Sequence, residues 1–311
     1  MTTMPDRRIR TFYWSLEKGD LLPALLMVPA IALVGFAMVV PLVYGTFLTF
    51  FDYRFGTFNP VDSFVGLANY IRFFSDKTAL QSVANTLAFS AGAIAGDFII
   101  GTAIALLLHS LVHWASRWLR PIVTMPLLVS PIIVGLTWRY IYDPQGLLYW
   151  LLDTVGIPFE AFPGVTSAST ALISIVIAHW WQVVPFVVIV LTAGLVAIPE
   201  ELYEAAHVEG AGPVTVFRRI TLPLLRDVYL VILLISGVDT IKIFDLIFAL
   251  TSGGPNNSTV SLSIYAYNQG FGNGELSYAM TISIMAMLIT FLVFGLPFIR
   301  QNARRAAEAG K

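Results

Sequence analysis

The chain has 311 residues, of which 57% are hydrophobic and 12% are charged, and its mean hydropathy is +0.77. Soluble domains carry roughly 25% charged residues, so this composition argues against a soluble protein and predicts an integral membrane protein. The net charge of −1 and the lack of cysteine exclude the basic face of a nucleic-acid-binding protein, disulfide bonds and thiolate metal sites.

Six stretches are long and apolar enough to cross a bilayer, which takes about 20 mostly apolar residues in a helix. The sequence therefore predicts an all-α integral membrane protein with about six transmembrane helices. The first stretch is too long for the 7–15 apolar residues of a cleavable signal, and no small-residue cleavage pattern follows it. The six stretches lie near residues 22–49, 81–109, 120–141, 169–197, 226–250 and 276–299.

Basic residues are distributed unequally between the segments that join these spans. Cytoplasmic segments carry the excess of Lys and Arg, so the bias predicts that both termini and the 198–225 loop are cytoplasmic. The chain then divides into a cytoplasmic segment 1–21, a transmembrane domain 22–300 and a cytoplasmic tail 301–311. The inner set is Arg7, Arg8, Arg10, Lys18, Arg117, Arg120, Arg218, Arg219, Arg226, Arg300, Arg304, Arg305 and Lys311, the outer set is Arg54, Arg72 and Lys77, and Arg139 and Lys242 fall in or near spans.

The three predicted outer loops are 51–80, 142–168 and 251–275. The first contains an aromatic, amphipathic stretch at 64–74, which predicts a short helix lying in the membrane interface. The third contains the run Gly-Gly-Pro-Asn-Asn at 253–257, which predicts a turn.

The predicted cytoplasmic loop 198–225 has its own local pattern. Pro199 and the acids after it favour a helix N-terminus, and that helix can continue to about Glu209. Gly210 then breaks the helix, and Pro213 can open a second short helix that reaches Arg219. Composition alone allows two interpretations, a compact knob on which a partner protein docks or an amphipathic connector.

One spaced motif within this loop favours the docking interpretation. It consists of Glu-Ala-Ala, then three residues, Gly, nine residues and Ile-x-Leu-Pro. The motif resembles the cytoplasmic loop by which permeases of ABC importers dock on their ATPase subunits. Glu209 departs from the Asp that usually precedes the Gly, but it keeps the charge. The resemblance implies ATPase coupling through Glu204, Ala205, Ala206, Gly210, Ile220, Leu222 and Pro223.

Further stretches are similar to permeases of binding-protein-dependent carbohydrate ABC importers, of the type that transport maltose and glycerol phosphate. The resemblance covers residues 20–300 and implies type I importer architecture in a bacterial or archaeal cytoplasmic membrane. It also implies a sugar substrate, a second homologous permease subunit, two ATP-binding subunits that hold ATP and Mg, and an external sugar-binding protein. The stretches lie at 64–70, 138–144, 181–186, 194–199 and 242–255.

Motifs for catalysis are missing from the sequence. It has no Gly-x4-Gly-Lys-[Ser/Thr] loop to hold ATP phosphates, and neither His-Glu-x-x-His nor Gly-x-Ser-x-Gly occurs. No cluster with metal-ligand spacing is evident. We therefore expect a chain that is not by itself an enzyme and binds no cofactor or metal of its own.

The fifth span contains three ionisable residues, Asp239, Lys242 and Asp245, spaced by three. Each costs roughly 2.5–3.5 kcal/mol at membrane depth, so each needs a reason to be there. On one helix Lys242 can reach either acid. The cluster either neutralises itself and fixes helix packing, or Asp239 faces a polar cavity and binds substrate hydroxyls.

The fourth span combines His179, Trp180, Trp181 and Gln182 with a helix-kinking Pro185. These side chains either pack tightly or bind a sugar, with the rings stacking on it and the polar groups bonding its hydroxyls. The maltose-type resemblance implies substrate-pathway residues in two spans, although the types of Asp239 and Ile243 depart from that site, so the substrate need not be a maltodextrin. The implied residues are His179, Gln182, Val183, Phe186, Ser236, Asp239, Thr240 and Ile243.

The sequence also leaves two other classes of protein open. A proton-coupled secondary transporter would use the buried acids Asp97 and Asp239, but it predicts internal repeats with matched broken helices, which the sequence does not show. In a chain that is not a proton-coupled transporter, we expect Asp97 to be a buried packing group. A structural or receptor-like membrane subunit predicts that deletion causes no transport defect.

Overall fold

The computed structural model describes residues 22–56, 59, 63–111, 113–158 and 162–309. In this part of the chain the secondary structure is helical, apart from one isolated bridge between Phe51 and Phe64. The α-helices are α1 Leu22–Leu48, α2 Ala68–Ser75, α3 Lys77–Ser110, α4 His113–Thr124, α5 Pro131–Ile141, α6 Leu147–Thr154, α7 Ala171–Val196, α8 Glu200–Val208, α9 Pro213–Val216, α10 Leu222–Leu224, α11 Arg226–Ile241, α12 Asp245–Leu250, α13 Leu262–Tyr267, α14 Leu276–Thr290 and α15 Leu296–Ala309. Short 3-10 turns lie at Met125–Leu128 and Gly164–Thr166, and π turns at Phe217–Thr221, Asn268–Gly272 and Phe291–Gly295.

Membrane-spanning helices account for most of this fold. Four continuous helices in the described residues are long and apolar enough to cross a bilayer, and two bent helix pairs bring the number to six if each pair forms one span. The predicted all-α fold with about six spans is thus confirmed. The continuous spans are Leu25–Leu48, Lys77–Ser110, Ala171–Val196 and Leu276–Gln301.

The third predicted span, 120–141, is not one straight helix. The segments Arg117–Leu128 and Pro131–Ile141 meet at 97°. The first segment ends in a 3-10 turn at Met125–Leu128, and Val129, which follows it, is extended. Pro131 explains the break because proline lacks an N–H donor and disfavours helical geometry at the residue before it.

The prediction of a continuous fifth span over 226–250 is also wrong. Helix α11 ends at Ile241, and α12 begins only at Asp245 after an irregular link. Asp245 therefore sits at a helix N-terminus, where an acid is favourable, and not on one helix with Asp239. A β-carbon on Gly135 of α5 would lie 2.6 Å from the Ala249 side chain of α12, so close packing between these helices fixes the new direction.

The centre of the bundle is the pair α3 and α7. Gly96 leaves the space that the Trp180 ring fills, since a β-carbon there would lie 2.0 Å from that ring. The indole N–H of Trp180 donates to the carbonyls of Gly92 and Ala93 at 3.2 and 3.1 Å. A smaller contact of the same kind joins Gly101 to Val187. These contacts hold the two helices in direct contact, as protein interiors require close packing.

Two local features of the predicted outer loops are present in the structure. Helix α2 overlaps the stretch 64–74 for which a short helix was predicted and extends one residue beyond it, and a turn occupies 253–257. Asn256 and Asn257 adopt positive φ there, which Asn tolerates better than most residues. By contrast, α1 has few contacts with the rest of the described chain. None of the residues in its most apolar stretch of 18 is buried.

Candidate functional site

The 198–225 loop forms a compact helical knob, which we define as residues 199–224. Helix α8 ends in a glycine cap: the Gly210 N–H donates to the His207 carbonyl at 3.0 Å, and the Ala211 N–H donates to the Ala206 carbonyl at 2.9 Å. This is the Schellman arrangement, which needs a residue of positive φ after the helix. Gly210 has φ +75°, so the predicted glycine corner is confirmed.

The second half of the knob returns to the membrane. The helix that opens at Pro213 passes through the π turn to Leu224, five residues beyond the predicted end at Arg219. It meets α11 at 65°, and we call this bend the elbow. One hydrogen bond between side chains joins the two halves of the knob. It links the hydroxyls of Tyr203 and Thr221, whose oxygens are 3.2 Å apart.

The outer surface of the knob combines charge with exposed apolar groups. Glu204 and Ala205 are exposed, whereas Ala206 is buried against the rest of the knob. Val208 is 89% exposed and Val214 is 66% exposed. A rim of charge around exposed apolar side chains is typical of a protein interaction site.

The predicted coupling residues therefore occupy one structural unit. Glu204, Ala205 and Ala206 lie on α8, and Gly210 forms the corner. Ile220, Leu222 and Pro223 lie on the returning segment, where Leu222 and Pro223 are exposed at the elbow.

A cleft of about 1090 Å³ separates the knob from the ends of the central helices. Its walls include Ser110 at the end of α3, Leu195 near the end of α7, and Tyr203 and Phe217 of the knob. The cleft thus leaves open space between the knob and the ends of α3 and α7.

His179 of the fourth span is bonded inside the chain. Its Nε2 lies 3.2 Å from Oδ2 of Asp97 on α3, and the two side chains are 7% and 0% exposed. The ring also meets Phe89 edge-on. The predicted packing role of Asp97 agrees with this contact, and the described part of the chain offers no hydrogen-bond partner to its Oδ1.

Gln182 is likewise buried and bonded inside the chain. Its amide donates to the Val129 carbonyl at 2.9 Å, which satisfies an extended residue in the break of the third span. Val183 and Phe186 are half-buried, and Phe186 packs beside the core side chains of α3 and α7.

The predicted residues of the fifth span point in different directions. Ser236 and Thr240 are buried, Ile243 lies half-buried in the link after α11, and Asp239 is exposed. Asp239 pairs with Lys242 at 2.9 Å, with the two side chains 60% and 67% exposed. The eight predicted pathway residues therefore do not share one surface of this chain, and their role stays a prediction.

Sequence reasoning missed a polar cluster at the opposite end of the molecule, which we call the outer clamp. The Asp76 carboxylate caps α3 through the N–H groups of Thr78 and Ala79, and it accepts hydrogen bonds from Tyr265 and, at 2.8 Å, from Tyr278. The clamp also contains Arg72, which pairs with Glu275 at 2.7 Å and covers the Tyr278 ring at 3.8 Å.

The clamp changes the acidity of its members outside the membrane. Burial raises the pKa of Asp76, but the hydrogen bonds from Tyr265, Tyr278 and the two backbone N–H groups outweigh burial and hold that pKa below its usual value of 3.8. Burial, together with the bond to Asp76, raises the pKa of Tyr265 to about 12. The carboxylate is thus charged and the phenol neutral throughout the physiological range.

Comparison with known proteins assigns the family. Residues 98–305 match the family described as the binding-protein-dependent transport system inner membrane component. The chain is 35% identical over 271 residues to the trehalose/maltose transport system permease MalF of Thermococcus litoralis, with 86% of this chain and 90% of that protein covered. The chain therefore belongs to the family of membrane components of binding-protein-dependent ABC importers, as the sequence-based resemblance predicts.

Other relatives and solved structures agree with this family. The sn-glycerol-3-phosphate permease UgpA of Yersinia pestis is 32% identical over 287 residues, with 90% of this chain and 92% of that protein covered. The crystal structure of a bacterial ABC transporter that imports the polysaccharide alginate matches with a TM-score of 0.78 at 22% identity, over 94% of this chain and 98% of that one. This likeness confirms the importer-permease fold. The secondary-transporter alternative finds no support in these comparisons.

Proposed function

We propose that this chain forms half of the translocation pathway of an ATP-driven sugar importer and that the knob couples it to ATPase subunits. The observation that carries the coupling role is the knob itself, a glycine-cornered helix that exposes Glu204, Ala205 and two valines outside the apolar bundle. The trehalose/maltose and glycerol-phosphate names of the relatives support a carbohydrate or carbohydrate-derivative cargo.

The proposal includes partners that supply what this chain lacks. The sequence has no phosphate-binding loop, so ATP and Mg would bind on two separate ATPase subunits, and this chain would not be an enzyme. A second permease subunit would complete the pathway, and an external sugar-binding protein would deliver the substrate. The resemblance to a transporter crystallised with a periplasmic protein that holds an alginate pentasaccharide supports the last partner.

The elbow suggests how movement reaches the membrane. The returning segment of the knob meets α11 at 65°, so a displacement of the knob turns α11 as a lever. α11 bears Asp239 on its exposed face and packs beside α3 and α7. Closure of the ATPases would thereby rotate helices as rigid bodies and open the pathway alternately to each side. Substrate loading and ATPase engagement would then influence each other.

The exposed Asp239–Lys242 pair supports a polar pathway on this face of α11. An ion pair within a spanning segment is costly against lipid, so a face that exposes it is expected to meet water, substrate or another subunit. We place Asp239 in the pathway, where its carboxylate would accept hydrogen bonds from sugar hydroxyls. His179 and Gln182 would support the pathway indirectly, since both side chains are bonded within the bundle.

Charge reversal on the knob tests the coupling role. Glu204→Lys places a cation where the proposed contact has an acid, so transport and substrate-stimulated ATPase activity are both expected to fall at least ten-fold. Asp153→Lys, an equal change of charge on an exposed residue of α6 outside the knob, is the matched control. Reconstituted complexes in which Glu204→Lys transports and hydrolyses ATP like the control would refute the coupling role.

Accessibility tests the proposed orientation. Cysteines can be introduced singly because the chain has none. A cysteine at Asn256 is expected to react with an impermeant thiol reagent from outside intact cells, and one at Val214 only after the membrane is opened. The reverse pattern would contradict a cytoplasmic knob.

A further inference from the structure

An apolar groove runs along the side of the bundle next to the elbow. It has a volume of about 860 Å³ and lies between α3, the returning segment of the knob and α11. Its walls include Ile99 and Ala103 of α3, Leu222 and Pro223 at the elbow, and Leu230 and Leu233 of α11. We call it the elbow groove. Its volume lies within the range of about 300–1,000 Å³ that is typical of ligand sites.

The elbow groove is suited to an apolar occupant. The hydroxyls of Thr102 and Tyr229, which both line it, bond to each other at 2.7 Å. Phe98 packs edge-on to the Tyr229 ring at 5.5 Å. The two hydroxyls of the wall thus bond to each other, so a hydrocarbon chain can cover them without leaving a buried hydroxyl unpaired.

The length of the groove matches one leaflet of a bilayer. On α3 it extends from Phe98 to Leu106, which is about 12 Å at a rise of about 1.5 Å per residue. Half of a hydrocarbon core of roughly 30 Å is about 15 Å. A transmembrane helix of a partner subunit would need a groove about twice as long.

One end of the groove is cationic. Arg226, the first residue of α11, lines the groove and is exposed, and it forms no ion pair with any acid in the described part of the chain. Arg218 and Arg219 are exposed on the turn before the elbow. With the knob in the cytoplasm, this end lies at the inner headgroup level.

We propose that the elbow groove binds an anionic phospholipid of the inner leaflet. One acyl chain would lie between α3 and α11, and the phosphate group would contact the Arg226 guanidinium. Basic pockets between transmembrane helices on the cytoplasmic side are suited to anionic headgroups, and a guanidinium binds phosphate through paired N–H donors. Because Leu222 and Pro223 line the same groove, the bound lipid would also brace the elbow.

Lipid retention by the purified transporter complex tests this proposal. Complexes in nanodiscs of phosphatidylcholine with increasing phosphatidylglycerol would be analysed by native mass spectrometry for bound lipid. Arg226→Gln is expected to weaken phosphatidylglycerol binding about five-fold, as befits one interfacial cation, and Arg226→Lys to restore it. Arg300→Gln, which removes an exposed arginine outside the groove, is the control.

A second variant tests the apolar part of the site. Ala103→Phe fills the groove and is expected to lower retention of both lipids, whereas Ala95→Phe adds the same ring at an exposed position two turns away on α3 and is expected to change neither. Equal retention of the two lipids by the unmodified complex, or unchanged retention in Arg226→Gln, would overturn the proposal. Loss of the second permease subunit from Ala103→Phe, with lipid unchanged, would assign the groove to a partner helix instead. Because the readout is bound lipid, a failed coupling experiment on Glu204 leaves this result independent.

Discussion

The outer clamp and the knob are two polar regions in the described part of the chain, and they are built in opposite ways. In the clamp, Asp76 bonds to two tyrosines and two backbone N–H groups, and Glu275 pairs with Arg72. In the knob, one hydroxyl pair joins the two halves, and valine side chains are left exposed. The clamp pairs its polar groups with one another within the chain, whereas the knob leaves charged and apolar groups exposed.

This difference predicts that the stability of the chain and the proposed coupling depend on different ends of the molecule. Substitutions in the clamp are expected to lower the free energy of unfolding, because they leave buried partners without bonds. Substitutions on the knob surface are expected to leave the free energy of unfolding nearly unchanged. They are expected to alter transport and ATPase activity, which depend on other subunits.

The largest effect is expected from Asp76→Ala. It removes the acceptor of two charge-assisted hydrogen bonds together with a helix cap, so the free energy of unfolding should fall by about 2–4 kcal/mol. Chemical unfolding in detergent micelles, followed by tryptophan fluorescence, measures the change. Asp52→Ala, which breaks only an exposed pair with Arg54, should cost at most about 1 kcal/mol. Equal losses in Asp76→Ala and Glu204→Ala would remove the distinction between clamp and knob.

Acid is expected to lower the free energy of unfolding by part of the loss expected for Asp76→Ala. The pKa of Asp76 is lower in the folded protein than in the unfolded chain, so its contribution to stability is present above the unfolded pKa. The contribution is lost as the pH falls through the folded pKa, which places the loss below about pH 4. Unfolding curves between pH 3 and 7 should show this acid-dependent component, and Asp76→Asn should abolish it. A component that persists in Asp76→Asn would assign it to other acids.

A moderate effect is expected at the glycine corner of the knob. Gly210 has positive φ and open space around it, so Gly210→Ala should destabilise the knob by about 1 kcal/mol through backbone strain alone. Gly212→Ala is the matched control, since Gly212 also faces open space but has φ −72°. The rate of hydrogen exchange at the backbone amides of α8 measures the stability of the knob in the two variants. Equal exchange rates would contradict the geometry of the corner.

The smallest effect is expected from Tyr203→Phe. It removes the hydroxyl that bonds to buried Thr221, which should cost about 0.5–1 kcal/mol because Tyr203 itself is only half-buried. Tyr140→Phe removes a hydroxyl from a mostly exposed ring and should change the free energy of unfolding by less than about 0.5 kcal/mol. The unfolding assay used for Asp76 resolves the difference, and a larger loss than in Asp76→Ala would reverse the ranking of the two regions.

The parts that sequence predicts well depend on short-range signals. Length of apolar runs predicted the spans, and glycine and proline spacing predicted the knob. Pro131 is a sequence signal for the break in the third span. Hydropathy averaged over a whole span does not detect a single proline. The break after Ile241 has no comparable signal, because the link contains Ile243 and Phe244, and packing of α12 against Gly135 of α5 determines it.

The outer clamp lay beyond sequence reasoning for another reason. Asp76 precedes a helix and could have been read as its cap, but its tyrosine partners lie 189 and 202 residues further along the chain. The same holds for His179, whose partner Asp97 lies 82 residues away. Predicted domain limits and pathway residues stay predictions, and the first segment, 1–21, lies outside the described residues.

The sparse burial of α1 has a consequence for how the protein is made. Its main contact within the chain is with α14, where Gly45 meets the sulfur of Met280. Met280 follows Gly45 by roughly 235 residues, so at a synthesis rate of about 5–20 residues per second α1 waits on the order of 10 to 50 s in the membrane for that neighbour. An apolar helix tolerates this interval because its backbone hydrogen bonds are satisfied internally and its side chains suit lipid. During biogenesis α1 can thus insert and persist as an independent helix before the bundle assembles.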